Sequence, residues 1–267
     1  MLNHVVIGDP SNPIVAVIHG IFGAGNNWRS FVQKWIKRRP DLCIVLVDLR
    51  NHGSSPHREN DNTLLQCAQE VLDLQKKIGD YRAIVGHSFG GKVALQCAEI
   101  PVYSEIEQIW ALDSFPGSLD RTAQDQNEVH TVLSWLRAVP FPVQKRSEVK
   151  QFLLERGASA MVSQWMTTNL IRTENGFVWR FNLDGIEQML TDYFIQDLWH
   201  VLEFPNTQIS THLVRALKSD RWGIKSIEKL ESLSSEQYYT LDAGHWLHVD
   251  NPEDLLDLFE RAVLPLA

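Results

Sequence analysis

The amino-acid sequence predicts an α/β protein, a mainly parallel sheet flanked by helices with an inserted, mostly helical cap. Three observations carry this expectation. Short apolar runs alternate with amphipathic stretches along most of the chain. Polar or glycine-rich clusters follow those runs, where a parallel sheet presents its strands' carboxyl ends. Between about 118 and 204 the alternation stops. The expected division is a core of residues 1–117 and 205–267 with a cap of residues 118–204.

Val5-Val6-Ile7 reads as a short edge strand, ended by Gly8-Asp9-Pro10. Ile14 to Ile18 is an unbroken apolar run, as a strand buried on both faces requires. It enters the loop His19-Gly20-Ile21-Phe22-Gly23-Ala24-Gly25, which lacks the Lys-Ser/Thr and G-x-G-x-x-G of nucleotide sites. Trp28, Phe31, Val32, Trp35 and Ile36 then share one helix face. Lys34 to Arg39 reads as that helix's exposed basic end. Leu42 to Val47 is the next buried strand, and Asp48 to Pro56 a long polar turn after it. In that turn His52 reads as a loop-capping residue. Leu64 to Ile78 keeps helical spacing, and Gly79 ends it.

Ala83-Ile84-Val85 is a strand, and a helix starts near Phe89. Gly86-His87-Ser88-Phe89-Gly90 lies between them, so Ser88 stands on a sharp strand-to-helix turn. Gly86 and Gly90 fit because a Cβ at either position would collide across the turn. Gln108 to Leu112 is another strand, ending at Asp113. The cap region has helical patches at Val129 to Val139 and Glu148 to Glu155, and one extended stretch, Phe177 to Phe181. The core rhythm returns with Ile209 to Leu217, Lys225 to Leu233, Tyr238 to Leu241 and Pro252 to Val263. Asn251 is placed to cap the last helix, with Pro252 at its first position.

The chain has 267 residues and a formal net charge of −8, which argues against nucleic-acid or anionic-membrane partners. Cys43, Cys67 and Cys97 lie on apolar faces without metal spacing, so buried free thiols and no metal or cofactor are expected. No signal peptide or membrane span is legible, and a cytoplasmic protein acting on a small molecule is the expectation.

A serine hydroxyl needs a base within hydrogen-bond reach, and the base needs an orienting group. His245, in Ala243-Gly244-His245-Trp246 after the last strand, is the expected base. A backbone-bonded buried role suits His248 better. The acid is open on spacing alone. Asp113 and Asp220 both follow strands at the same sheet edge, and either could instead be a loop cap. Backbone N–H groups of Phe89 and Ile21 are the expected oxyanion donors. Phe22, Trp165 and Trp246 are the expected substrate contacts.

These segments, with Arg50-Asn51-His52-Gly53 and Val178-Trp179-Arg180-Phe181-Asn182-Leu183-Asp184, resemble the α/β-hydrolase superfamily. More narrowly they are similar to YbfF-type esterases and their mitochondrial abhydrolase relatives, from about residue 14 to 260. The resemblance implies an α/β-hydrolase fold and esterase or thioesterase activity through Ser88 and His245. It favours Asp113 over Asp220 as the acid and leaves Asp184 third. It departs at Leu217 and Lys218, where family members carry glycines. Two other activities suit such a fold. One is a carbon–carbon lyase of the succinyl-hydroxycyclohexadiene carboxylate synthase kind, which would need cap cations such as Arg137, Arg156, Arg172 or Arg180. The other is a catalytically slow ligand sensor.

Overall fold

The computed structural model describes residues 1–100, 105–119, 128–204 and 208–265. Its strands are β1 (His4–Gly8), β2 (Ile14–Ile18), β3 (Cys43–Val47), β4 (Tyr81–His87), β5 (Gln108–Leu112), β6 (Leu170–Thr173), β7 (Gly176–Trp179), β8 (Ser210–Ala216) and β9 (Tyr238–Leu241). Seven of them form the central sheet in the order β1-β3-β2-β4-β5-β8-β9. β1 is the antiparallel edge, and every other neighbouring pair in this sheet is parallel.

The central strands are apolar throughout because both faces are covered. Alternate residues of β2 go to opposite sides. Ala16 and Ile18 join Val45, Ile84 and the helices Leu64–Asp73 and Phe89–Cys97. Val15 and Val17 join Ile44, Leu46 and the helices Arg29–Arg38 and Pro252–Ala262. Each fully buried Val, Leu or Ile side chain contributes about 1.5–3 kcal/mol. The two helices of the second layer are also joined by ion pairs, Lys34 and Arg38 to Glu253 and Arg38 to Asp257. Arg39 differs from the expected exposed basic end. It is buried, with its guanidinium on Asp41 and on the carbonyls of Val263 and Leu264. A charge can be buried there because its donors are satisfied.

The three cysteines are free and buried. Asn251 caps the last helix through the Asp254 N–H, as expected. The expected extended stretch corresponds to β7, and its partner β6 was missed. Leu170–Thr173 is mostly exposed, so it lacks the buried apolar run by which the other strands are legible.

Residues 128–204 stand between β5 and β8 and contain the helices Glu128–Arg137, Arg146–Glu155, Ala160–Met166, Leu183–Ile195 and Trp199–Glu203 besides the β6–β7 hairpin. The expected junctions near 118 and 204 border residues outside the described set. Polar contacts tie this segment to core loops. Asn182 donates its N–H to the Asn51 carbonyl at 3.0 Å, and Asn169 Nδ2 donates to the Phe22 carbonyl at 2.9 Å. Lys92, on the helix after Ser88, donates from Nζ to the carbonyls of Gly117, Tyr193 and Gln196. Burial pulls the Lys92 ammonium down to about 7, opposed by the charges of Asp197 and Asp192.

Candidate active site

Ser88 stands between β4 and the helix Phe89–Cys97 with φ 53° and ψ −119°. A non-glycine residue in that region is strained and must be held there by its surroundings. Its N–H donates to the Leu112 carbonyl at 2.9 Å, and its carbonyl accepts the Ser114 hydroxyl at 2.6 Å. The turn is also compact. A Cβ on Gly86 would meet the Gly90 carbonyl, and one on Gly90 would meet the carbonyls of Ile18 and His19. Phe89 is the first residue of the helix, so its N–H has no acceptor within the helix.

His245 follows β9. Its Nδ1 lies 2.7 Å from Asp113 Oδ2. The other Asp113 oxygen accepts the Trp222 indole N–H at 2.7 Å and the Ala216 N–H at 3.1 Å. Asp113 has φ 42°, a second strained residue next to β5, and its carboxylate is fully buried. Burial raises the Asp113 pKa, but the hydrogen bond and charge of His245 with the bond from Trp222 outweigh it, so the net direction is downward. His245 is lowered below its ordinary value. Burial is the largest cause, Asp113 opposes it, and the Arg221 guanidinium adds to it. A neutral imidazole at neutral pH, its Nδ1–H held by a carboxylate, leaves Nε2 free to accept a proton.

Of the two open carboxylates, the structure places Asp113 against His245. Asp220 is exposed and makes no hydrogen bond or ion pair with the described residues, although it borders the same cavity. Asp184 lies elsewhere, paired with Arg137 on the surface. His248 differs from the expected backbone-bonded role. It stacks on Trp28 with ring centroids 3.9 Å apart, and its buried Nδ1 has no partner among the described residues. Burial lowers its pKa to about 3, so stacking on an apolar ring suits it.

The loop after β2 is shaped by two more histidines. His19 donates from Nδ1 to the Gly20 carbonyl and accepts the Leu49 N–H at Nε2. His52 donates from Nδ1 to the Arg50 carbonyl and accepts the Phe22 N–H at Nε2. Burial lowers the His52 pKa to about 3, which keeps Nε2 an acceptor. Phe22 is thereby held at φ 59° with its amide engaged. The Ile21 amide donates no hydrogen bond among the described residues, and Ile21 stands beside Ser88 in the cavity wall. The Arg50-Asn51-His52-Gly53 segment thus shapes this loop. Asn51, at φ 63°, accepts from Arg58 and Asn182 through Oδ1 and donates to Asn62.

Ser88 and His245 line one cavity of about 400 Å³ with Phe22, Trp165 and Trp246. Trp165 and Trp246 meet edge to face at 5.8 Å. A second, smaller cavity of about 80 Å³ adjoins Ser88 and Phe89. Among the described residues no group of three or more His, Cys, Asp or Glu is arranged to hold a metal. No helix is long and apolar enough to cross a membrane among the described residues.

Two neighbours of the site escaped sequence reasoning. Trp222 was legible only as an odd loop ending, yet its N–H holds Asp113. His87 Nε2 donates to the His245 carbonyl at 2.7 Å and so fixes the loop that carries His245. No local pattern marks either contact, because the partners are over 100 residues apart.

A doubly covered parallel sheet with a strained serine at its carboxyl edge defines a class of enzyme scaffold. The family comparison gives the class its name: the model of the alpha/beta hydrolase family matches residues 15–258, and the chain belongs to that family. The mouse sn-1-specific diacylglycerol lipase ABHD11 is 27% identical over 266 residues, covering 94% of this chain and 80% of its own. Esterase YbfF of Escherichia coli K12 is 23% identical, with 94% and 93% covered. Among solved structures, a marine microorganism esterase superposes with TM-score 0.81 at 24% identity, covering 96% of this chain and 97% of its own. Family and relatives together support a hydrolase of the esterase/lipase type.

Proposed function

We propose that the protein is a serine hydrolase that cleaves carboxylic esters or acyl thioesters through an acyl-enzyme. The carrying observation is the junction of Ser88 on its strained turn with His245, which lines the same cavity and is held by Asp113 at 2.7 Å. In this reading Ser88 Oγ attacks the acyl carbon while His245 Nε2 takes its proton. Collapse of the tetrahedral intermediate breaks the bond to the leaving group, which receives that proton. Water then repeats the sequence on the acyl-enzyme. Asp113 keeps the imidazole in the required tautomer and stabilises its cation. The amides of Ile21 and Phe89 receive the oxyanion, each donor contributing about 3 kcal/mol in the transition state.

Residues 118–204 act in this reading as a cap whose apolar inner wall, Trp165 included, selects the acyl group. The acidic charge and the free cysteines support a small-molecule substrate in the cytoplasm. The lyase alternative is less well supported. Arg137 is engaged by Asp184 and Glu187, Arg156 lies over Phe152 and Arg172 over Phe177, and none of these or Arg180 lines either cavity. No observation favours the sensor reading over turnover.

A fluorophosphonate probe tests the nucleophile. It should label the wild type and leave Ser88→Ala unlabelled, and equal labelling of both proteins would overturn the assignment. A panel of neutral p-nitrophenyl esters and acyl-CoA thioesters of graded length then reads substrate class.

A further inference from the structure

Arg221 sits where the two cavities meet. It lines both, as do Ser88, Ile21 and Val129. The smaller cavity is otherwise walled by apolar and aromatic side chains such as Phe115, Leu190 and Phe194, with Tyr193 beside them. Arg221 is the one charged side chain among its lining residues. It makes no ion pair or hydrogen bond with the described residues, and its buried Nε has no partner. Two carboxylates, Asp220 and Glu128, border the larger cavity, but neither lies within ion-pair distance of Arg221. Arg221 is half-buried, whereas the fully buried guanidinium groups have carboxylates, Arg39 with Asp41 and Arg50 with Glu70.

An unmatched guanidinium against an apolar wall, beside a nucleophile, is arranged for an anion that arrives with the substrate. Its planar fork suits a carboxylate or phosphate oxygen pair, and a partly desolvated setting strengthens that bond. The acidic residues border only the larger cavity, so a negative group is best accommodated in the smaller one. Its volume of about 80 Å³ limits what enters to a few heavy atoms.

We propose that Arg221 recognises an anionic group on the substrate, carried a few bonds from the scissile carbonyl on the part that enters the smaller cavity. This deepens the hydrolase reading and rests on it. The preferred substrates are therefore short charged esters or thioesters rather than fully apolar ones. The anion can belong to the acyl part or to the leaving group, and the two arms of the test separate these sources.

The acyl arm compares monomethyl succinate with its neutral isostere methyl 4-methylpentanoate in a pH-stat. The leaving-group arm compares S-acetylthioglycolate with S-isobutyl thioacetate. In one arm the wild type should favour the anion by roughly 10-fold or more in kcat/KM. Arg221→Gln should bring that ratio to about one, and Arg221→Lys, which keeps charge without the fork, should fall between. A merely structural role would lower both members of a pair alike and preserve the ratio. Arg221→Gln should also raise the acid-limb pKa on the neutral ester, since the guanidinium lowers the His245 pKa. Ratios near one in both arms for the wild type, or a preference that survives Arg221→Gln, would overturn the proposal while neutral-ester turnover leaves the hydrolase reading standing. If no ester turns over, calorimetric binding to Ser88→Ala decides instead. Tighter binding of one anionic ester than of its isostere, abolished in the Ser88→Ala/Arg221→Gln protein, supports the role of Arg221. Equal binding of each pair refutes it.

Discussion

Asp113 and Asp220 follow neighbouring strands of one sheet, yet their surroundings differ in every respect that matters for chemistry. Asp113 is buried, strained at φ 42°, and engaged on both oxygens by His245, Trp222 and Ala216. Asp220 is exposed at the cavity mouth. The difference teaches that position at a strand end brings a carboxylate to the site, while burial and bonded neighbours decide what it can do. A buried carboxylate holds an imidazole rigidly because few other arrangements satisfy its charge. An exposed one is screened by solvent and acts at a distance, weakly.

The strongest way to break the comparison is to neutralise each carboxylate. Asp113→Asn should lower kcat by roughly 10³- to 10⁴-fold, as loss of the orienting acid does in serine triads. Asp220→Asn should stay within about threefold, because an exposed charge contributes little. Circular dichroism must confirm that both fold. A crippled Asp220→Asn beside a near-normal Asp113→Asn would reverse the roles.

A sharper test removes one bond to the buried member. Trp222→Phe keeps the ring but deletes the indole donor to Asp113 Oδ1. A hydrogen bond to a charged group is worth about 1.5–3 kcal/mol. The expected result is a kcat loss of roughly 10-fold with KM little changed. A loss confined to KM would mean that Trp222 contacts substrate instead of orienting Asp113.

The smallest effect lies in the pH profile. His245 acts as a base only when neutral, and its pKa is lowered from the ordinary value of 6.5. The acid limb of kcat/KM on a neutral ester should therefore fall below pH 6.5, with activity lost as pH drops through it. Asp220 raises the His245 pKa through its charge, so Asp220→Asn should move the limb slightly further down. An upward shift would show that this charge does not reach the imidazole.

The cap offers a parallel contrast in specificity. Trp165→Ala should change the ratio of kcat/KM between long and short neutral acyl esters by roughly 5-fold or more, since one lost apolar contact is worth about 1–3 kcal/mol. A uniform loss across the series would remove Trp165 from chain-length selection.

The core strands and the turn around Ser88 were legible from the sequence alone. Each is dictated locally: runs such as Ile14 to Ile18 suit only a strand covered on both faces, and Gly86 and Gly90 leave room for a turn that a Cβ would close. The acid beside His245 was not legible in the same way, since Asp113 and Asp220 both follow strands at the same sheet edge. Their roles separate through contacts made across the sheet, the Nδ1 of His245 lying 132 positions from Asp113 in the chain. The partnerless guanidinium of Arg221 was equally hidden. Charge is written in the sequence, but whether it meets a carboxylate or an open cavity depends on which side chains the fold brings within a few ångströms, where the energies of buried charge are decided.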